Sequence, residues 1–388
     1  MNKKLIVTAM SLVMAGAAGL ANADVKLYGQ LDVSLDWTDS DVAADNGTRA
    51  SKKVAQSGNS YQDDINMNSN TSALGVKGAE DLGNGMSAIF KVEWDADLVN
   101  GGSLKGRDQW IGLKMERFGK LTFGTMSTAY KAYGSKIDAF YRTPLQMRAV
   151  GLQSNLHSGK GEEGQGRATN TARYDSPSIG GFSAIGTYTF DSNKQNQNVP
   201  PGTCNTNPNC EDDDPYSLGI QYKGGNFFAA ASYISTQGSN DAEAAQFIAR
   251  YDWNDLSFHG IYELDQGLIT AQANNGIGQS SGNLGRSASA KDDGADIWSV
   301  GATYTIGNNL IAADYGQRSD SDGVNGVNDS NLVGSGTTYD DIQEATVWRL
   351  AAYHKFSNLT RVYAGYANSD YDDKGEDEIF TLGMRHNF

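Results

Sequence analysis

Apolar side chains recur at every second position in short runs spread along most of this chain. Near its end Phe380, Leu382, Met384, His386 and Phe388 fall on one side of such a run, with Thr381, Gly383, Arg385 and Asn387 on the other. Trp348, Leu350, Ala352, His354 and Phe356 alternate in the same way against Arg349, Tyr353 and Lys355. The pattern repeats in Trp298, Val300, Ala302 and Tyr304, in Phe182, Ala184, Gly186, Tyr188 and Phe190, and in Phe247, Ala249 and Tyr251. A period of two is that of a β-strand with two unlike faces. Short turns at 81–85, 117–120, 176–181, 223–226, 253–255, 306–309 and 356–358 punctuate the strands, and eight long loops rich in Asp, Asn, Gly and Ser alternate with them. Seven turns and eight loops join sixteen strands. An even count returns both ends of the sheet to one side and lets the first and last strands pair, so that no edge stays open.

The two faces ask for two solvents. Apolar residues on one side, polar ones on the other and aromatics near the strand ends fit a wall between lipid and water, with an interfacial girdle. The expected fold class is therefore all-β, a 16-stranded antiparallel transmembrane β-barrel with short periplasmic turns and long outer loops. Barrels of that size enclose more space than wall side chains fill, leaving an aqueous channel. Residues 1–23 stand apart: Lys3 and Lys4, an apolar run over 5–20 and the small-residue site Ala21-Asn22-Ala23 have the form of a cleaved signal peptide. The predicted division is 1–23 signal peptide and 24–388 barrel. No other run approaches the about 20 apolar residues that a spanning helix needs.

Composition agrees: 39% hydrophobic residues with 46 Gly, 19 Tyr and 6 Pro suit a wall one sheet thick better than a large solid core. Without residues 1–23 the chain carries 29 basic against 46 acidic side chains, a net charge of −17, which argues against nucleic acid as a partner. The acids gather in the loops. Cys204 and Cys210 lie six positions apart in one of them, and in an exported chain such a pair reads as a local disulfide, although nearness in sequence does not guarantee bridge geometry. The runs 211–214, 292–293 and 370–373 offer hard oxygen ligands but fit no EF-hand spacing, so solvated loops are expected, with no metal site and no cofactor. Four histidines, at 157, 259, 354 and 386, stand beside no recognisable nucleophile motif, and no phosphate loop or zinc motif occurs, so no enzymatic activity is expected.

At this point the chain resembles the trimeric Gram-negative general porins. The resemblance covers 24–388 and rests on Val25-Lys26-Leu27-Tyr28-Gly29, on the run 74–85 (LGVKGAEDLGNG), on the strand pair around 107–125, on Tyr174-Asp175-Ser176-Pro177 and on Leu382-Gly383-Met384-Arg385-His386-Asn387-Phe388. It implies a passive channel for small hydrophilic solutes and ions in the outer membrane, a homotrimer packed through the first and last strands, contact with lipopolysaccharide, and a terminal Phe388 read by the barrel-assembly machinery. It also implies that the third loop, 128–166, folds into the barrel and sets its acids Asp138, Glu162 and Glu163 against basic wall residues. Arg107 and Arg167 occupy the matching wall positions; Arg173, Lys77, Lys91 and Glu93 should also face the water. Ala73 and Thr125 stand where the family commonly carries arginine, and two missing cations predict a weak cation preference, which Lys131, Lys136, Arg142, Arg148 and Lys160 of the loop oppose. Two other channel-shaped readings stay open. Tyr130, Tyr133, Phe140 and Tyr141 could form an aromatic slide in a sugar-specific channel, and a barrel with a closed lumen would be an adhesive or structural surface protein.

Overall fold

A computed structural model of the chain describes residues 24–40, 64–101, 104–157, 160–161, 166–190, 215–235, 243–269, 294–320, 344–372 and 375–388. The strands are β1 (Asp24–Ser40), β2 (Asp64–Ser69 continued by Ala73–Gly83), β3 (Met86–Asp95), β4 (Lys105–Met115), β5 (Gly119–Ser127), β6 (Arg167–Asp175), β7 (Phe182–Thr189) and β8 (Tyr216–Gly224). They go on with β9 (Phe227–Ser235), β10 (Glu243–Trp253), β11 (Leu256–Gln266), β12 (Ile297–Ile306), β13 (Asn309–Arg318), β14 (Ala345–Lys355), β15 (Thr360–Tyr371) and β16 (Gly375–Asn387). Each pairs antiparallel with its neighbours, and β1 closes the sheet on β16 from Gln30 opposite Asn387 to Ser40 opposite Asp377. This is the expected 16-stranded barrel. The two parts of β2 both pair with β1, one on either side of a break at 70–72.

Exposure is inverted relative to a water-soluble protein. Along β16, Phe380, Leu382 and Met384 are exposed while Thr381, Gly383 and Arg385 are buried; along β1, Leu31, Leu35 and Trp37 are exposed while Asp32, Ser34 and Asp36 are buried. Lipid-facing side chains must be apolar because a Lys or Arg at mid-depth costs about 2–4 kcal/mol there. The turns are as short as the sequence indicates: Asn84 and Gly85 sit at φ 53° and 73°, the pair of left-handed residues that a two-residue hairpin requires. No helix among the described residues is long and apolar enough to cross a membrane.

The apolar core lies inside the barrel, and the third loop makes it. After β5 the chain turns into α1 (Ala129–Gly134), capped by the Thr128 hydroxyl on the Lys131 N–H at 3.3 Å, then into a short helix α2 (Met147–Val150) that ends at Gly151 with φ 91°. Tyr133, Phe140, Leu145, Met147 and Leu152 from the loop pack against Ile185, Phe228, Ile248, Ile261, Val347, Ala351 and Tyr363 on the inner wall. Wall glycines make room. A Cβ on Gly365 would stand 2.5 Å from Leu145 Cδ1, and one on Gly219 would stand 2.5 Å from Tyr133 Cε2.

Candidate functional site

The loop is fixed by buried polar groups of the wall, each holding a backbone or charged group that would be costly to bury alone. Arg349 of β14 donates to Asp138 of the loop at 3.1 Å, to the Leu145 carbonyl, and to Asp314 of β13 at 2.6 Å; His259 of β11 meets Asp314 at 2.7 Å. Glu263 of β11 accepts from the Tyr130 hydroxyl at 3.0 Å and from the Ser154 N–H at 3.1 Å, and its carboxylate lies 3.1 Å from His157 Nε2. Arg385 of β16 binds Asp32 at 2.6 Å and donates to the carbonyls of Tyr141 and Arg142. Ser299 and Ser369 donate to the carbonyls of Leu152 and Val150. Ser154, His157 and Glu263 are sealed from solvent, which makes this trio a clamp and not a reactive centre.

The apolar side of the loop packs on β7 to β16, leaving the inner wall of β2 to β6 outside that core. There the wall carries an ion-pair mesh. Arg107 donates to Glu93 at 2.6 Å and to Asp95 at 2.5 Å; Lys91 meets Asp108 at 2.8 Å and Glu93 at 3.3 Å; Arg167 also bonds Asp108. Offsets of pairing between β3 and β4 let the successive residues Arg107 and Asp108 both reach this mesh. Arg142 extends from the loop to within 3.6 Å of Glu93, and Tyr28 of β1 donates to Glu93 at 2.9 Å. Lys77 is exposed, its ammonium 4.7 Å from the centre of the Tyr28 ring. Arg173 lies apart, forked onto Asp175 at 2.9 and 2.6 Å and bonded to the Ser127 carbonyl.

Facing that wall, the loop presents cations. Arg148 donates to Gln146 at 2.9 Å and to the His157 carbonyl, and its guanidinium lies 4.9 Å from the Tyr141 ring centre. Burial pushes the Lys131 ammonium well below its ordinary value, and the charges of Arg167, Arg148 and Arg107 push it the same way. Burial would raise the Tyr141 hydroxyl, but Arg148, Arg142, Arg167 and Arg107 outweigh it and bring the group down. Among the described residues, the loop side chains toward this wall include Lys131, Arg142 and Arg148.

Several expectations change here. Asp138 does not face Arg107 and Arg167; it is turned back onto Arg349 of the far wall, because that guanidinium is fully buried and needs two carboxylates. Glu93 is buried within the mesh instead of pointing into open water. The aromatic slide is not formed: Tyr130, Tyr133 and Phe140 are packed against the wall, and Tyr141 alone of the four is half-buried. Arg107, Arg167 and Lys91 do come together. Glu162, Glu163, Cys204 and Cys210 lie outside the described residues, as do 1–23 and the acidic run 211–214, and among the described residues no cluster of metal-binding side chains occurs. The clamps Arg349, Arg385, Asp314 and Glu263 escaped sequence reasoning, although strand alternation had already put Arg349 on the polar face.

The comparisons fit this architecture. A family model described as Gram-negative porin matches residues 8–374. The chain belongs to the Gram-negative porin family. An outer membrane porin protein of Bordetella pertussis is 26% identical over the full length of both chains. Major outer membrane protein P.IB of Neisseria meningitidis serogroup B is 31% identical over 59% of this chain and 57% of its own. Among solved structures, an anion-selective porin from Comamonas acidovorans superposes with TM-score 0.66 at 18% identity, covering 95% of this porin and all of the other. OmpT of Vibrio cholerae in its trimer form gives 0.57 at 16% identity, over 94% of this porin and 99% of the other. This porin resides in the outer membrane, where its relatives are found.

Proposed function

We propose that this porin passes small hydrophilic solutes and ions passively down their gradients, with a preference for anions. The observation that carries the preference is the orientation of the third loop: Lys131, Arg142 and Arg148 lie toward Arg107 and Arg167, while Asp138 is spent on Arg349. Low-dielectric walls focus the field of such a cluster and raise the local concentration of its counter-ions. This reverses the weak cation preference expected from Ala73 and Thr125, since the loop supplies the cations those wall positions lack. The test is the reversal potential of the refolded protein in a planar bilayer under a KCl gradient. A chloride-selective potential is expected, and a potassium-selective one would overturn the preference.

A homotrimer goes with this reading. The outward side chains of β1, β2 and β16 are mostly aliphatic, with Val25, Leu27, Leu31, Leu35, Ile65 and Met67 among them, whereas Tyr188, Phe247, Tyr251, Trp253, Tyr262 and Tyr304 ring the opposite sector. Aromatics suit a lipid headgroup boundary, and an aliphatic sector suits a protein neighbour. A band of three-fold mass that collapses on heating is the expected result on a semi-native gel. Phe388, whose N–H and carbonyl pair with Gly29, is assigned as the mark for the barrel-assembly machinery, and lipopolysaccharide as the outer-leaflet neighbour. Residues 1–23 are assigned as an export signal, so that the mature protein should begin at Asp24 on N-terminal sequencing.

A further inference from the structure

The seam at which the sheet closes on itself also holds part of the third loop. Asp32 of β1 stands opposite Arg385 of β16 on the inner face, and the two buried side chains form an ion pair at 2.6 Å. The Asp32 carboxylate accepts as well from the Tyr363 hydroxyl at 2.6 Å and from the Asn70 amide at 2.9 Å, while its backbone N–H and carbonyl are both bonded to the Ser72 hydroxyl, at 2.9 and 3.0 Å. Asp32 is thereby fixed from β15, from β16 and from the break in β2. Register matters to the pair. A two-residue slip of β1 on β16 would keep every side chain on its own face, yet would set Arg385 opposite Gln30 or Ser34. The two terminal nitrogens of Arg385 go to the loop, donating to the Tyr141 carbonyl at 3.1 Å and to the Arg142 carbonyl at 2.8 Å. Arg142 sits at φ 69°, uncommon for a residue other than glycine, and its N–H is held by the Gln146 side chain at 3.1 Å. From this pinned turn its guanidinium extends to within 3.6 Å of Glu93 on β3.

We infer that Asp32 and Arg385 are positioning residues for permeation: the seam pair aims the Arg385 fork at the 141–142 turn and so places the Arg142 guanidinium across from Glu93. Asp32 orients Arg385 through Nε, which leaves both ends of the planar guanidinium for two successive carbonyls, a geometry that an ammonium group cannot reproduce. A charged group on a loop is held precisely only where the residues behind it are themselves locked, and here the lock is made by the first and last strands meeting in one register. Closing the sheet and setting Arg142 are therefore parts of one event. The inference rests on the passive-channel reading above but holds for either sign of ion preference and fails separately from it.

The experiment is a double-mutant cycle read as the reversal potential in a KCl gradient, with Arg142→Gln made in the parent and in Arg385→Lys. The lysine keeps the charge and the bridge to Asp32 but loses the fork, so the folded band of the unheated sample should match the parent's. Arg142→Gln should shift the reversal potential of the parent, and in Arg385→Lys the same substitution should shift it by less than about half as much. Asp32→Asn, which conserves shape and removes the charge that orients Arg385, should shrink the shift in the same way. Lys26→Gln, on the same face of β1 and bonded to Asp24, should leave it at the parent's size. Equal shifts in the parent and in Arg385→Lys would overturn the inference and leave the channel reading standing. Absence of any shift in the parent would overturn it too, since the seam would then place nothing that a passing ion senses. No current from the folded parent would reject the channel reading and this inference together.

Discussion

Arg349 has no exposed side-chain surface and holds Asp314 and Asp138 together, one from its own wall and one from the loop. Replacing it by methionine keeps much of the volume but leaves two buried carboxylates without a cation, at a cost on the order of 3–5 kcal/mol. We expect Arg349→Met to free the loop from the wall while the barrel persists, seen as rapid proteolytic nicking within 128–166 and a larger solute exclusion limit. Lys131 gives a pH prediction. Its folded ammonium lies below the ordinary value of 10.5 through burial and through Arg167, Arg148 and Arg107, with Asp108 the opposing charge. Between the folded and the ordinary value the unfolded chain binds more protons, so the penalty of burying the charge is full below the folded value and is relieved as pH rises through it. Chloride preference should therefore weaken on alkalinisation before ordinary lysines titrate, and this step in the reversal potential should be missing from Lys131→Met. At this scale the sequence revealed which face a residue occupies but not its partner. Strand alternation put Arg349 in the lumen; its bond to Asp138, 211 positions away, depends on how the loop crosses the bore.

Among the elements, strands were the most legible because lipid enforces a strict period. Leu382→Arg puts a charge on the lipid face of β16 and should cost about 2–4 kcal/mol if it lies near mid-depth. Lower folded yield in lipid vesicles, against little change for Thr381→Ser on the inner face, would bear this out. The break in β2 was not legible. Thr71 sits at φ 53°, an uncommon conformation for a β-branched residue, and it is held there by neighbouring Asn70, whose amide bonds Asp32 at 2.9 Å, Ser34 at 2.8 Å and the Tyr363 hydroxyl at 3.1 Å. Those partners come from two other strands, and nothing local announces them. The third loop was legible in position and inward course, by resemblance, but not in polarity. Its seat can be tested directly: Gly365→Val would force a side chain into Leu145, already 2.5 Å from the site of an added Cβ, and should lift the loop, raising single-channel conductance while the folded barrel band of the unheated sample remains.

For the whole molecule, net charge and local charge are different quantities. Acids gather in the long loops of the sequence, whereas among the described residues Lys131, Arg142 and Arg148 of the third loop lie toward Arg107 and Arg167, and on the proposed reading an ion in transit feels chiefly what lies within a screening length of it. That length is about 10 Å at 0.1 M salt and about 3 Å at 1 M. Chloride preference should accordingly be stronger in dilute than in concentrated KCl, and a preference independent of salt would point to size and not charge as its cause. The apolar nucleus inside the lumen has a further consequence. The loop that defines the aperture can dock only onto a wall that already exists, and its hydrogen bonds to that wall are separate from the closed ladder of strands. We expect aperture and cylinder to behave as two cooperative units, the first opening and reclosing while the second stays intact. Amide exchange would see them as two classes of protection, and sequence drift in the aperture can retune what passes without endangering the vessel that holds it.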